Sequence, residues 1–403
     1  MNTFEENSRT ATQKRLVIFL HTGFFVIGIV TVLLGQILPY LSRNLTVTDE
    51  QAGYFFIAQF GGSLTGTFFF SRTIKRFGYL KMLGGGFTLM ALGCFGLDLG
   101  SWLACLASIY IYGIGIGATI PVINLLIIQM NREKSAAASN IINFCWGIGA
   151  IASKPFVDLT ASPESIFLPT ALLGGLLLAN GAAILFSGFQ PNFAGDTEVS
   201  GSDVTPVWKT STAWLIAFFA FLQVGIEGSV GGWITTYETR LTETAADRVI
   251  SAAPVFFLFL VVGRGIAPLL LRYFRENALM FGNLFWMSGG IVLILLTQDY
   301  TSLIVGAALL GFGTSSIYPM NIARFMSVFG SRAAQNSTPL FVLGSFGAAF
   351  TTWLVGFVST NFNSLRTGFS VILISCFWLF ILQIALSKNI PKQKTGTQAT
   401  RLQ

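Results

Sequence analysis

The stretch Gly113-Ile-Gly-Ile-Gly-Ala-Thr-Ile-Pro121 decides the fold, because it occurs a second time as Gly311-Phe-Gly-Thr-Ser-Ser-Ile-Tyr-Pro319. The copies begin 198 positions apart, and the same offset places Gly149-Ala150 on Gly347-Ala348 without a gap. The offset is about half of the 403-residue chain, and both copies are apolar. Such a repeat indicates two homologous membrane halves related by an axis along the membrane normal, an arrangement typical of transporters.

Composition supports an integral membrane protein. Only 10% of the residues are charged, 53% are hydrophobic, and the mean hydropathy is +0.69. A soluble domain of this size needs more charge on its surface. The 24 Lys and Arg outnumber the 17 Asp and Glu, and in a membrane protein this excess indicates cytoplasmic loops. We therefore expect no nucleic-acid partner.

Twelve apolar segments are long enough to span a bilayer, which takes about 20 residues. The predicted fold is therefore an all-α membrane protein with twelve transmembrane helices in two six-helix, pseudo-symmetric halves. Residues 1–188 form the predicted N-terminal half, 189–208 a cytoplasmic linker, 209–390 the C-terminal half and 391–403 a disordered tail. The predicted spans lie near 16–41, 51–71, 79–100, 102–130, 136–158, 165–188, 210–237, 248–271, 278–298, 301–328, 333–360 and 366–387.

The positive charges predict the orientation. With the N-terminus inside, 18 Lys and Arg fall in inner segments, and the outer loops hold only Arg43, Arg240, Arg248 and Arg366. Under the positive-inside rule this distribution places both termini in the cytoplasm. The predicted location is the cell (inner) membrane, crossed many times.

Glu227 is the clearest candidate functional residue, because an ionisable side chain in hydrocarbon is costly. It lies midway along predicted helix 7, and at 100° per residue Gln223 and Tyr237 share its face. Trp233 lies on the same helix. The side chains of Trp146, Trp233 and Tyr237 could stack on a sugar ring or simply pack helices together. Glu227 could bind a cation or proton, or accept hydrogen bonds from a polyhydroxylated substrate. Alternatively, a protonated Glu227 fixes helix packing.

Other polar residues in the spans extend this candidate site. On helix 5, Asn140 and Asn143 share one face, and amides bind neutral hydroxyls because they offer a donor and an acceptor. Interhelical hydrogen bonding is the alternative for them. His21 is a candidate for proton coupling, although a residue so near the cytoplasmic edge could simply be interfacial. Further candidate ligands are Gln36 on helix 1, Thr119 on helix 4 and Asn321 on helix 10.

A third set of residues is predicted to act in conformational switching and topology. Small residues permit close helix contact, and basic loops contact helix ends or lipid phosphates. We expect Arg264 to lie at a different depth from Glu227, so we do not assume that the two pair. The set comprises Gly62, Gly66, Arg72, Arg76, Gly78 and Arg264.

The chain resembles the major facilitator superfamily over essentially its whole length, in its six plus six helices, basic helix 2–3 loop and central linker. More specifically, the stretch from Ser316-Ile-Tyr-Pro-Met-Asn321 to Gly330 resembles the helix 10 signature of the fucose–galactose–glucose:proton symporters. The stretch Asn140-Ile-Ile-Asn-Phe-Cys-Trp-Gly-Ile-Gly-Ala150 resembles their helix 5, which places their substrate-binding Asn on Asn143. Their coupling carboxylates in helices 1 and 4 are absent from Gly35-Gln36-Ile-Leu-Pro39 and Ala118-Thr119-Ile-Pro121.

These observations predict a secondary transporter that moves a small neutral solute by alternating access and cation-coupled uptake, and a sugar is the favoured class of solute. The coupling ion is H⁺ or Na⁺ acting at Glu227, and no other cofactor or metal is expected. An uncoupled facilitator, an exporter of amphipathic drugs or lipids, and a non-transporting sensor are the alternatives. Enzyme motifs are absent from the sequence. The expected partners are the solute and membrane lipid, and the chain is expected to be a monomer.

Overall fold

The computed structural model describes residues 3–131, 135–162, 164–188, 207–241, 250–297, 299–330 and 336–389, and these residues are almost entirely helical. The predicted tail at 391–403 and all but the last two residues of the predicted linker at 189–208 lie outside these ranges. The first half contains α1 (Thr3–Asn44), α2 (Asp49–Phe77), α3 (Tyr79–Phe95), α4 (Trp102–Met130), α5 (Ser135–Thr160) and α6 (Phe167–Leu185). The second contains α7 (Ser211–Leu241), α8 (Ala252–Tyr273), α9 (Glu276–Leu296), α10 (Tyr300–Thr314), α11 (Ile317–Phe329), α12 (Thr338–Asn361) and α13 (Leu365–Asn389).

Within the described ranges these helices form twelve candidate membrane crossings, because α10 and α11 follow one another along a single span. Ten of the crossings are long and apolar enough to span a membrane by composition alone. The other two, α2 and α5, have 29 and 26 residues and more polar ends. The predicted spans are therefore all present as helices, with two differences. Helix α1 begins well before residue 16, and the tenth span is interrupted at Ser315 and Ser316.

The two halves repeat one packing scheme. In the first, α1 packs on α5, α4 packs on both α2 and α3, and α3 packs on α6. In the second, α7 packs on α12, α10 packs on both α8 and α9, and α9 packs on α13. The predicted pseudo-symmetry is confirmed by these equivalent pairs.

Matched glycines make the equivalent contacts possible. A Cβ atom on Gly149 of α5 would lie 2.0 Å from the carbonyl oxygen of Phe25 on α1. A Cβ atom on Gly347 of α12 would lie 2.0 Å from the carbonyl oxygen of Phe221 on α7. Both distances are too short for any side chain, so glycine is required where the two backbones touch. The repeat visible in the sequence therefore records a packing requirement.

Among the described residues the halves pack extensively through three helix pairs, α1 with α7, α2 with α12 and α5 with α8. In the last third of α1 and of α7, a Cβ atom on Gly35 would lie only 2.2 Å from the carbonyl oxygen of Gly231. Nine residues further along α7, Arg240 donates two hydrogen bonds of 2.7 and 2.5 Å to the carboxylate of Asp49 on α2. We call the region formed by these four residues the closed end. Among the described residues, α4 does not pack extensively on α10 or α11.

Candidate functional site

A cavity of about 140 Å³ lies between the two halves. Residues of α1, α2, α5, α7, α8 and α12 line it, so both halves contribute to its wall. Its wall is apolar apart from a few side chains, which is usual for small-molecule sites. The polar side chains among the described lining residues are Thr31, Gln59 and Glu227, and the aromatic ones are Phe56, Phe60, Trp146 and Phe257.

Glu227 lies on the cavity wall in an ion pair. Its Oε1 is 3.3 Å from Nη2 of Arg264 on α8, and its Oε2 accepts a 3.4 Å hydrogen bond from Nε2 of Gln223. The prediction that Arg264 and Glu227 lie at different depths is wrong. Both residues lie near the middle of neighbouring helices that run in opposite directions, so their side chains meet. The side chains are 20% and 33% exposed, so solvent reaches the pair.

A proline of the repeated stretch positions Arg264. Pro319 has no backbone N–H, so the carbonyl of Ser315, four residues earlier, loses its helical donor. Nε of Arg264 donates a 3.0 Å hydrogen bond to this carbonyl. In the first half Pro121 frees the carbonyl of Gly117 in the same way. There the hydroxyl of Thr67 on α2 donates to it at 3.1 Å.

The opposite wall of the cavity is built around Thr31 on α1. Its carbonyl accepts a 2.8 Å hydrogen bond from Nε2 of Gln59, and its hydroxyl accepts a 3.4 Å bond from the indole N–H of Trp146. Gly28, one turn before Thr31, lets α5 approach so closely that a Cβ atom there would lie 2.1 Å from the Trp146 carbonyl oxygen. The indole is therefore held on the cavity wall by both a hydrogen bond and backbone contact.

Gln36 joins the two halves beside the cavity. Its Oε1 accepts a 2.7 Å hydrogen bond from the hydroxyl of Thr235 on α7, and both residues are almost fully buried. The structure therefore places Gln36, a predicted ligand, at the contact between α1 and α7 near the closed end. It does not line the cavity.

Four other predicted ligands are also turned away from the cavity. Each is buried and donates one hydrogen bond to a backbone carbonyl of its own half, so it packs helices together in this conformation. The hydrogen bonds are Trp233 Nε1 to Thr352 O at 2.9 Å, Tyr237 Oη to Ile294 O at 3.4 Å, Thr119 Oγ1 to Gly115 O at 2.7 Å, and Asn321 Nδ2 to Ile216 O at 3.0 Å.

Asn140, Asn143 and His21 lie outside the cavity lining as well. Asn140 and Asn143 are exposed on α5, and Nδ2 of Asn143 donates to Asn124 Oδ1 at 3.2 Å. Nδ1 of His21 is 2.7 Å from the carbonyl oxygen of Val17 in the same helix. Of the predicted ligands, Glu227 lines the cavity. Gln223 contacts the cavity site only through its hydrogen bond to Glu227.

The residues predicted to act in conformational switching divide into two groups. Gly62 and Gly66 pack α2 against α4, since Cβ atoms there would lie 2.2 and 2.1 Å from carbonyl oxygens of α4. Gly78 has φ +78° at the junction of α2 and α3, a conformation that favours glycine. Arg72 and Arg76 are exposed near that junction, whereas Arg264 pairs with Glu227 of the cavity wall.

Sequence reasoning did not identify Phe56, Gln59 and Phe60 as cavity residues. Their spacing of three and four positions places them on one face of α2, and an isolated glutamine between aromatic residues was a usable signal. Phe257 on α8 carried no such signal. Among the described residues, no group of three or more His, Cys, Asp or Glu could hold a metal ion.

Comparisons with known proteins agree with this architecture. Residues 20–333 match the sequence profile described as Major Facilitator Superfamily. The glucose/mannose transporter GlcP of Bacillus subtilis (strain 168) is 21% identical over 401 residues, which cover 94% of this chain and 95% of that protein. The D-xylose-proton symporter structure has a TM-score of 0.73 at 12% identity and covers 94% of this chain and 98% of its own.

The transporter FucP in its outward conformation has a TM-score of 0.61 at 15% identity, covering 92% of this chain and 98% of its own. The resemblance and the fold predicted from the sequence are thus confirmed. The profile match covers well over half of the chain. The protein therefore belongs to the Major Facilitator Superfamily and is a multi-pass membrane transporter, not an enzyme.

Proposed function

We propose that this transporter carries small neutral sugars by alternating access of its two halves around the cavity at Glu227. The observation that carries the proposal is a carboxylate and an indole on the wall of one small cavity between the halves, with a guanidinium paired to that carboxylate. Sugar hydroxyls both donate and accept hydrogen bonds. The Glu227 oxygens accept, the N–H groups of Arg264 and Gln59 donate, and the Trp146 ring offers a flat apolar surface.

The relatives support a sugar as the substrate, because the names of GlcP and of the xylose symporter are those of sugar transporters. The cavity volume suits a single small molecule, since sites for drug-sized ligands are roughly 300–1,000 Å³. A larger apolar cavity would suit the alternative substrates, amphipathic drugs or lipids.

The contacts between the halves support alternating access. The halves are joined at the closed end. At the opposite end of the two halves, α4 is not packed extensively on α10 or α11 among the described residues. With both termini in the cytoplasm of a cell (inner) membrane, as the positive charges predict, the closed end is extracellular and the structure is inward-facing. In this proposal a monomer surrounded by lipid completes the cycle.

Uptake of a panel of labelled sugars into proteoliposomes tests the proposal. We expect saturable uptake of at least one neutral hexose or pentose, competed by related neutral sugars and not by sugar acids. Trp146→Ala should raise the KM at least several-fold, because it removes one wall of the site. Trp286→Ala, at an exposed position on α9, is the matched control and should not change KM.

Two results would contradict the proposal. Absence of uptake for every sugar, together with extrusion of amphipathic compounds by the same vesicles, would establish drug or lipid export. Sugar binding without flux would indicate a sensor.

A further inference from the structure

We infer that Arg264 is a tethered cation that neutralises Glu227, so that sugar flux through this site requires neither H⁺ nor Na⁺. The inference rests on the proposed function and replaces the cation-coupled mechanism that the sequence predicts. Under it, the protein equilibrates its substrate across the membrane as a facilitator.

The ion pair is the first observation. A lone carboxylate in a membrane interior must be neutralised, which in a coupled transporter is the role of a bound proton or Na⁺. Here the guanidinium of Arg264 lies 3.3 Å from Glu227 Oε1 and supplies the positive charge from within the chain. An arginine remains protonated at every physiological pH, so its charge does not vary with the gradient.

The anchoring of Arg264 is the second observation. Its Nε donates to the Ser315 carbonyl freed by Pro319, at 3.0 Å, so the guanidinium has a second fixed partner besides Glu227. A mobile cation could reach Glu227 only against the repulsion of this fixed charge or after breaking both contacts. The site is thereby occupied by the protein's own cation.

In the part of the chain that the structure describes, the other side chains around Glu227 provide no alternative cation site. Tyr318 of α11 lies near both Glu227 and Arg264, and its phenol carries no charge at physiological pH. The remaining polar side chains that the described residues turn toward this cavity are Thr31 and Gln59, which do not titrate. Gln223 on α7 donates an amide N–H to Glu227 and does not titrate. The segments 35–39 and 118–121, where related symporters carry coupling carboxylates, hold none.

The first experiment measures wild-type sugar uptake into proteoliposomes with pH and Na⁺ gradients imposed separately. We expect uptake to stop at equal concentrations on both sides and to be unchanged by either gradient. Accumulation above equilibrium that depends on a gradient and is abolished by Glu227→Gln would overturn the inference.

The second experiment removes the tethered cation. Arg264→Gln leaves Glu227 uncompensated, so its flux should become dependent on a proton or Na⁺, rising up to about tenfold per unit decrease in pH while the carboxylate is being protonated. In Glu227→Gln/Arg264→Gln any remaining flux should not depend on either ion. Arg272→Gln, at an exposed position on the same helix, controls for loss of a positive charge. Flux through Arg264→Gln that is as independent of both ions as wild type would overturn the inference.

Thermal unfolding of the purified proteins separates this inference from the proposed function, because it needs no sugar. The midpoint of Arg264→Gln should rise as pH falls or Na⁺ is added, since either ion neutralises the carboxylate. In wild type, the double variant and Arg272→Gln, the unfolding midpoint should depend on pH and Na⁺ to the same, smaller extent. If wild type carries no sugar, the proposed function fails and this arm still decides the role of Arg264. If Arg264→Gln responds no more than its controls, Arg264 is not the counter-cation.

Discussion

The contact between Gly35 and Gly231 provides a sharp test of the closed end. A Cβ atom on Gly35 would lie 2.2 Å from the carbonyl oxygen of Gly231 and 3.0 Å from the Cα of Gly232, whereas ordinary contact begins at 3.4 Å. Both nearest neighbours are backbone atoms, so no side chain can rotate away. Gly35→Ala therefore requires the two halves to separate by about 1 Å at this point.

The energetic cost falls on one conformation only. Overpacking by a methyl group costs about 1–3 kcal/mol in a tightly packed core. Because α1 and α7 belong to different halves, this strain is relieved when the closed end opens. We therefore expect Gly35→Ala to lower the ratio of closed to open molecules about 5- to 150-fold and to slow transport, since each cycle must pass through the closed conformation.

Spin labels on either side of the closed end measure this ratio. Leu99→Cys in the first half and Phe362→Cys in the second are 65% and 67% exposed, and both follow helices that end on this side. In a background that replaces the partly exposed Cys145, double electron–electron resonance should show a larger share of long distances for Gly35→Ala than for the parent.

Two glycines serve as matched controls. Gly28→Ala places its Cβ 2.1 Å from the Trp146 carbonyl oxygen within one half, so it should lower thermal stability without separating the labels. Gly85→Ala meets no atom within 4 Å and should change neither property. Unaltered label distances and wild-type transport in Gly35→Ala would refute the packing argument.

Three further predictions concern polar groups outside the ion pair. Gln36→Leu and Thr235→Val should each favour the open state. Their effects in a double-mutant cycle should not add, because each substitution removes the same 2.7 Å hydrogen bond. Asp49→Asn breaks the ion pair at the closed end and should raise the open fraction measured with the same labels, less so at high salt. Hydrogen bonds from the side chain and backbone of Ser302 lower the pKa of Asp299, the N-cap of α10. The stability this cap contributes is therefore lost as pH falls through the folded-state pKa, and Asp299→Asn, which still caps, should show a smaller loss in acid unfolding curves.

The architecture was predictable because its signals are local and repeated. Each span is visible as an apolar run, and the packing glycines Gly149 and Gly347 coincide when the two halves of the sequence are aligned. A backbone contact that tolerates no side chain has the same sequence consequence in both halves. Repetition therefore makes it recognisable.

The cavity wall was less predictable because bulk, not polarity, decides which face of α7 borders it. The cavity follows Val224, Glu227, Gly228 and Gly231, spaced three and four residues apart on one helical face. Small residues leave space there. Trp233, by contrast, is packed in the core, where its indole N–H donates a hydrogen bond to the carbonyl of Thr352. A search for polar and aromatic side chains selects residues that are large enough to be packed and so misses the glycines that create the space.

The pairing of Arg264 with Glu227 could not be inferred from helix periodicity, because it depends on how far α8 is shifted along α7. The repeat nevertheless contains its cause. Prolines at matched positions free one carbonyl in each half, and the neighbouring helix satisfies that carbonyl with the neutral hydroxyl of Thr67 in one half and with the charged Nε of Arg264 in the other. Either donor satisfies the freed carbonyl equally well. Only Arg264 also brings a positive charge next to Glu227. The two halves share a scaffold for helix packing, and the difference between their donors places a cation beside the carboxylate of α7.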